Sequence, residues 1–129
     1  MKEDDVFRYI GRCGVMLGLV LAIGCGKDPK QKQTLEQLNG RLEAALGITD
    51  PSKRNDALKS VAEDAADTGM EETTLAALGK ITDPSLRNDE AATCALKLSV
   101  FGNKKGATAV AGLITDPAKK NDVLGKIAN

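Results

Sequence analysis

Three times the chain sets a cation, an amide and a carboxylate side by side: Arg54-Asn55-Asp56, Arg87-Asn88-Asp89 and Lys120-Asn121-Asp122. Each triplet closes one nine-residue phrase, which opens at Ile48, Ile81 and Ile114, so the copies stand 33 residues apart. Rows of such groups along one surface could clasp a peptide backbone, because guanidinium and amide groups donate to carbonyls and carboxylates accept from N–H. Arg54, Asn55, Arg87, Asn88, Lys120 and Asn121 therefore form a candidate partner-binding row. The same residues have a second, structural reading. Asparagine and aspartate are mediocre helix formers, so their repetition calls for hydrogen bonds between neighbouring units or to the turn between helices. Negative charge in a first helical turn also suits the helix dipole.

Other chemistry finds little support. The Asp-x-Asn-x-Asp spacing of a calcium loop, with its following glycine, does not occur. Neither does a Gly-x-Ser-x-Gly elbow, a phosphate-binding loop or a dinucleotide fingerprint. Histidine is absent, which removes the commonest general base and the commonest metal ligand. Eighteen basic and eighteen acidic side chains leave no net charge, and the aromatics are only Phe7, Tyr9 and Phe101. Nothing there favours nucleic acid, which needs basic surface and stacking platforms. The sequence predicts a non-enzyme with no metal and no cofactor.

Three cysteines remain: Cys13, Cys25 and Cys94. Their spacing fits neither a zinc site nor a small disulfide framework. Cys25 closes an uncharged apolar run over residues 15–23, flanked by Arg8 and Arg12 before and Lys27 after. The run is short for a transmembrane helix, which needs about 20 apolar residues, and matches the central region of a secretory signal. Leu21-Ala22-Ile23-Gly24-Cys25 resembles a bacterial lipoprotein signal, with a small residue before the cysteine. That resemblance implies that Cys25 receives the lipid and that residues 1–24 are removed as a signal peptide. Acyl chains hold a soluble domain to a membrane because each buried methylene contributes about 0.8 kcal/mol. Gly26, in place of aspartate, implies forwarding to the outer membrane of the envelope. Residues 25–33 are polar, contain Pro29, and read as a lipidated tether.

The elements that position the triplets follow from the 33-residue period, which marks a repeat architecture. Asp50-Pro51, Asp83-Pro84 and Asp116-Pro117 are helix starts: the carboxylate accepts from an orphan N–H, and proline at the first helical position loses nothing. Proline also forces the residue before it out of the helical region, so the preceding helix stops. Gly69 and Gly102 mark helix ends. Helices are expected near 34–48, 51–67, 70–81, 84–101, 105–114 and 117–128. Apolar residues recur in register: Leu58, Ala91 and Leu124; Val61, Cys94 and Ile127; Ala62, Ala95 and Ala128; Ile48, Ile81 and Ile114. Cys94 thus occupies a valine or isoleucine slot and reads as a small buried hydrophobe.

The expected fold is all-α: three helix-turn-helix repeats of 33 residues over 34–129, forming a short right-handed α-solenoid or a compact helical bundle. The pattern of residues 77–91, Ala-Leu-x-x-Ile-Thr-Asp-Pro-x-x-Arg-Asn-Asp-x-Ala, resembles short tetratricopeptide-like helical repeats of bacterial proteins. Here proline separates the two helices of a unit and no aromatic occupies the usual packing sites. The resemblance implies a protein-binding or scaffolding surface, with an unidentified protein or peptide as partner. The last helix is shorter than its counterparts and no polar capping helix follows it. Leu124 and Ile127 are therefore expected to be only partly covered, which leaves self-association through that end as the alternative reading.

Overall fold

The computed structural model describes residues 29–129. The expected signal peptide, Cys25 and the tether up to residue 28 lie outside the described residues. Within them the chain is all-helical: α1 (Pro29–Leu46), α2 (Pro51–Asp67), α3 (Glu71–Gly79), α4 (Pro84–Phe101), α5 (Lys104–Ala111) and α6 (Pro117–Ala128).

The repeated phrase acts at the starts of the even helices. Asp50, Asp83 and Asp116 all have extended backbone and cap the helix that follows, with proline in the first turn. The Asp50 carboxylate accepts from the N–H of Ser52 at 2.9 Å and of Lys53 at 3.0 Å. Asp83 accepts from Leu86 N–H and Asp116 from Lys119 N–H, both at 2.9 Å. Each cap satisfies a donor that the helix cannot satisfy itself.

The odd helices end alike, and earlier than their apolar stripes suggest. Ile48, Ile81 and Ile114 were expected as the last helical residues, yet all three lie beyond the helix. Their N–H groups donate three residues back, to Ala45, Leu78 and Ala111, each at 3.1 Å. The last turn tightens in this way because the Asp-Pro pair that follows forbids a further helical turn. A second departure is at the front. Helix α1 begins at Pro29, inside the stretch expected to be tether. Proline is at home at a first helical position, and the lysines and glutamines after it are good helix formers.

Two glycines adopt left-handed backbone. Gly102, with φ of 103°, caps α4. Helix α2 is capped by Thr68, and Gly69 follows with φ of 74°. A methyl group on Gly69 would sit 2.3 Å from the Phe101 ring, so that glycine also makes room for an aromatic contact.

The compact unit is Thr34–Asn129. Helix α2 packs on α3 and α4, α4 packs on α5 and α6, and α3 packs on α5. Helices α2, α4 and α6 therefore follow one another in one layer, with α3 and α5 beside them in a second. Leu58, Leu78, Ile81, Leu98, Val110 and Cys94 fill the space between. Fully buried Ala62, Ala65, Ala91 and Ala95 let the helices approach closely. Helix α1 is tied to α2 by Arg41, which donates to Asp64 at 2.6 Å and to Ser60 Oγ at 3.0 Å.

Equivalent positions are not equally covered. Ile81 and Ile114 are 1% and 2% exposed, but Ile48 is half-buried. Leu58 and Ala91 are fully buried, but Leu124 is half-buried. Ile127 departs from expectation: it is buried, as is Val123, which the apolar stripe did not single out. One turn of α6 therefore docks fully, because α6 contacts both α4 and α5.

Candidate functional site

The three asparagines meet three different surroundings. Asn55 is 7% exposed. Its Oδ1 accepts from Thr82 N–H at 3.1 Å and from Thr82 Oγ1 at 3.3 Å. Asn88 is half-buried and repeats the arrangement one unit on. Its Oδ1 accepts from Thr115 N–H at 2.9 Å, and its Nδ2 lies 3.0 Å from Thr115 Oγ1. Both bonds join residues 27 apart, and both pin the turn before a helix start to the preceding even helix. Asn121 is exposed and makes no such bond among the described residues. Asparagine suits this task because its amide can accept from a backbone N–H and still donate to a hydroxyl. The amide oxygen of Asn55 and both amide atoms of Asn88 are thus engaged within the fold.

The cations of the row diverge as well. Arg54 donates to the carbonyl of Ile48 at 2.9 Å and holds the turn before α2. Arg87 and Lys120 are half-buried and make no corresponding bond among the described residues. Of the carboxylates, Asp89 forms an ion pair with Lys119 across α4 and α6, and Asp122 pairs with Lys126 at 2.9 Å within α6. Asp56 is exposed. The row is therefore continuous in sequence but not in chemistry: its first members stabilise turns, and its last members face solvent.

A second cluster had no sequence signal. Glu90 lies on α4, 5% exposed, in a slot held by Ala57 and Val123 in the other units. Lys59 pairs with its Oε2 at 2.8 Å, and this contact holds the Lys59 ammonium above its usual range. Its Oε1 is buried and has no hydrogen-bond partner among the described residues. Burial first, then a hydrogen bond to Glu90 and the Glu90 charge, push the Glu63 carboxyl up, while Lys97 and Lys59 oppose the shift. Two carboxylates held together share a proton sooner than both ionise. Cys94 lies in the same region, fully buried. Its thiol is pushed up to about 12, chiefly by burial and then by the Glu90 charge. It is a packing residue and a poor nucleophile, since the thiolate is the reactive form.

Two open grooves of about 440 Å³ each flank the helices. One is lined by Asp67, Thr93, Leu96, Lys97, Val100 and Phe101. Val100 is 90% and Phe101 54% exposed, and Lys97 Nζ donates to Asp67 at 2.8 Å along its edge. The other is lined by residues of α1, α2 and the turn between them, among them Ala44, Ile48 and Ala57. Neither lining contains Glu63, Glu90 or Cys94, so the carboxylate pair has no substrate-sized space beside it in either groove.

Among the described residues no group of three or more metal-ligating side chains converges, and no helix is long and apolar enough to cross a membrane. No protein-family model, curated protein or solved structure matches the chain.

Proposed function

We propose that the chain is a bacterial envelope lipoprotein, held to the membrane by lipid on Cys25. Its helical domain is read as a short α-solenoid of three 33-residue units that binds protein and performs no catalysis. The observation that carries the domain reading is the recurring junction, in which asparagine takes the threonine N–H of the next turn at Asn55–Thr82 and again at Asn88–Thr115. A contact that recurs with the sequence period is what stacked units require, since each buries its apolar face against its neighbour. Even helices in one row and odd helices in another support the same reading. The anchor rests on the apolar run over 15–23 and on Gly24-Cys25. Partner contact falls to the cations of the row that have no ion pair among the described residues, Arg87 and Lys120, rather than to Asn55 and Asn88.

A structural, self-associating role is the second reading. It is favoured by the exposed Asn121 and the half-buried Leu124 at the end of the array.

Metabolic labelling with radioactive palmitate tests the anchor: wild type takes up label and Cys25→Ala does not, and equal labelling rejects it. In-cell crosslinking tests the surface. Arg87→Ala should lose a crosslinked partner and keep its melting temperature, whereas lower melting with the partner retained would make Arg87 structural.

A further inference from the structure

The junction between the second and third units has two halves, and each half recurs, without its junction partner, at an opposite end of the array. Asn88 and Asp89 form the accepting half: Asn88 takes Thr115 N–H at 2.9 Å, and Asp89 pairs with Lys119. The same two residue types return in register as Asn121 and Asp122, both exposed. Thr115 and Lys119 form the donating half. Their equivalents 66 residues earlier are Thr49 and Lys53, also exposed. In the unit between, the lysine position holds Leu86 and the pair is broken. Lysine is thus present at the donating end of the array as well as at the one junction where it makes an ion pair.

Among the described residues, apolar cover is thinner at the same two ends. On the donating side Ile48 is half-buried and Ala44 exposed, where their equivalents Ile81 and Ala77 are 1% and 0% exposed. The groove lined by Ala44, Ile48 and Ala57 opens there. On the accepting side Leu124 is half-buried and Ala128 exposed, where Leu58 and Ala62 are fully buried. Each end therefore presents the apolar surface and the polar pattern that a neighbouring unit covers inside the chain.

We propose that a second copy of this chain docks head to tail, with its Thr49–Lys53 turn on Asn121 and Asp122. Thr49 N–H then donates to Asn121 Oδ1, Lys53 pairs with Asp122, and Ile48 packs toward Leu124, continuing the in-chain junction. The pair that Asp122 makes with Lys126 yields readily, because both partners are well exposed and such i,i+4 pairs contribute little. The contact is heterologous, so each added copy exposes a new end and growth does not stop at a dimer. This inference rests on the stacked-unit reading above and is independent of the lipid anchor.

Sedimentation velocity on the full chain in mild detergent, over a wide concentration range, tests it through charge reversal. Wild type should gain mass with concentration beyond a dimer. Asp122→Lys alone and Lys53→Asp alone should each move association to a concentration at least tenfold higher, and the two combined in one chain should restore it. Circular dichroism melts of the single variants should match wild type, since both sites are exposed. A wild type that stays monomeric, a limit at dimers that neither reversal affects, or a double variant that fails to recover overturns the proposal. Those failures leave the palmitate and Arg87 crosslinking results unchanged, so they are separable from failure of the broader reading.

Discussion

Replacing the three equivalent asparagines by alanine, one at a time, should destabilise the fold in a graded series. In Asn55→Ala the Thr82 N–H loses its acceptor in a part-buried setting, and the Thr82 hydroxyl loses a second bond. A buried donor left without a partner costs about 1–3 kcal/mol. Because Thr82 itself is exposed, its hydroxyl can turn to water, which leaves the backbone N–H as the larger part. The expected loss is about 2 kcal/mol, or roughly 8–16 °C in melting temperature for a domain of this size. Asn88→Ala breaks bonds of the same kind to Thr115, but in a more exposed setting. Water replaces more of them, and the loss falls to about 1 kcal/mol. Asn121→Ala removes an exposed side chain with no hydrogen bond among the described residues and should stay within about 0.5 kcal/mol of wild type. Thermal melts followed by circular dichroism in dilute protein read the series. Equal losses at all three positions, or the largest loss at Asn121, would refute the idea that these amides join consecutive units.

Other consequences are as direct. Glu63 has a folded pKa raised above its ordinary value, so its proton favours the fold: that stability is complete below the unfolded pKa and lost as pH rises through the folded one. Glu63→Gln, whose amide N–H can donate to Glu90 at any pH, should therefore flatten stability against pH above the ordinary carboxylate range and gain about 1 kcal/mol at neutral pH; a steeper slope in the variant contradicts the shared proton. Cys94→Val should cost less than about 1.5 kcal/mol, since the volume change is small and Val61 fills the equivalent slot, whereas Leu58→Ala, at a fully buried position, should cost about 2–5 kcal/mol. Native Cys94 should resist maleimide at neutral pH and react once urea unfolds the chain, because burial holds its thiol at about 12; rapid labelling of folded protein would place it at the surface. Asp83→Ala removes the acceptor for Leu86 N–H and should cost about 1 kcal/mol, measurable as a lower urea midpoint with unchanged slope.

The starts of α2, α4 and α6 were legible residue by residue, at Pro51, Pro84 and Pro117. The capping carboxylate and the proline act on groups no more than three residues away, so a short stretch of chain contains the whole cause. The end of α4 at Gly102 was legible for the same reason. The period also assigned Cys94 correctly to a buried slot, since its equivalents Val61 and Ile127 are buried too. The same inference failed at Ile48 and Leu124, which lack the cover that Ile81 and Leu58 keep. The ambiguity of the Arg-Asn-Asp triplet lay beyond local signals altogether. Whether an amide binds a partner or a neighbouring turn depends on what lies opposite it, and for Asn55 that is Thr82, 27 residues on. Glu63 and Glu90 come together only because α2 packs on α4, and no spacing along either helix foretells a carboxylate pair between them. The amino-acid order by itself determined where helices begin and which residues are equivalent, since those effects are short-ranged and periodic. The packing of α2 against α4, and of α4 against α6, decided which equivalent residues are satisfied and which still face water, since that depends on what each helix meets across the layer.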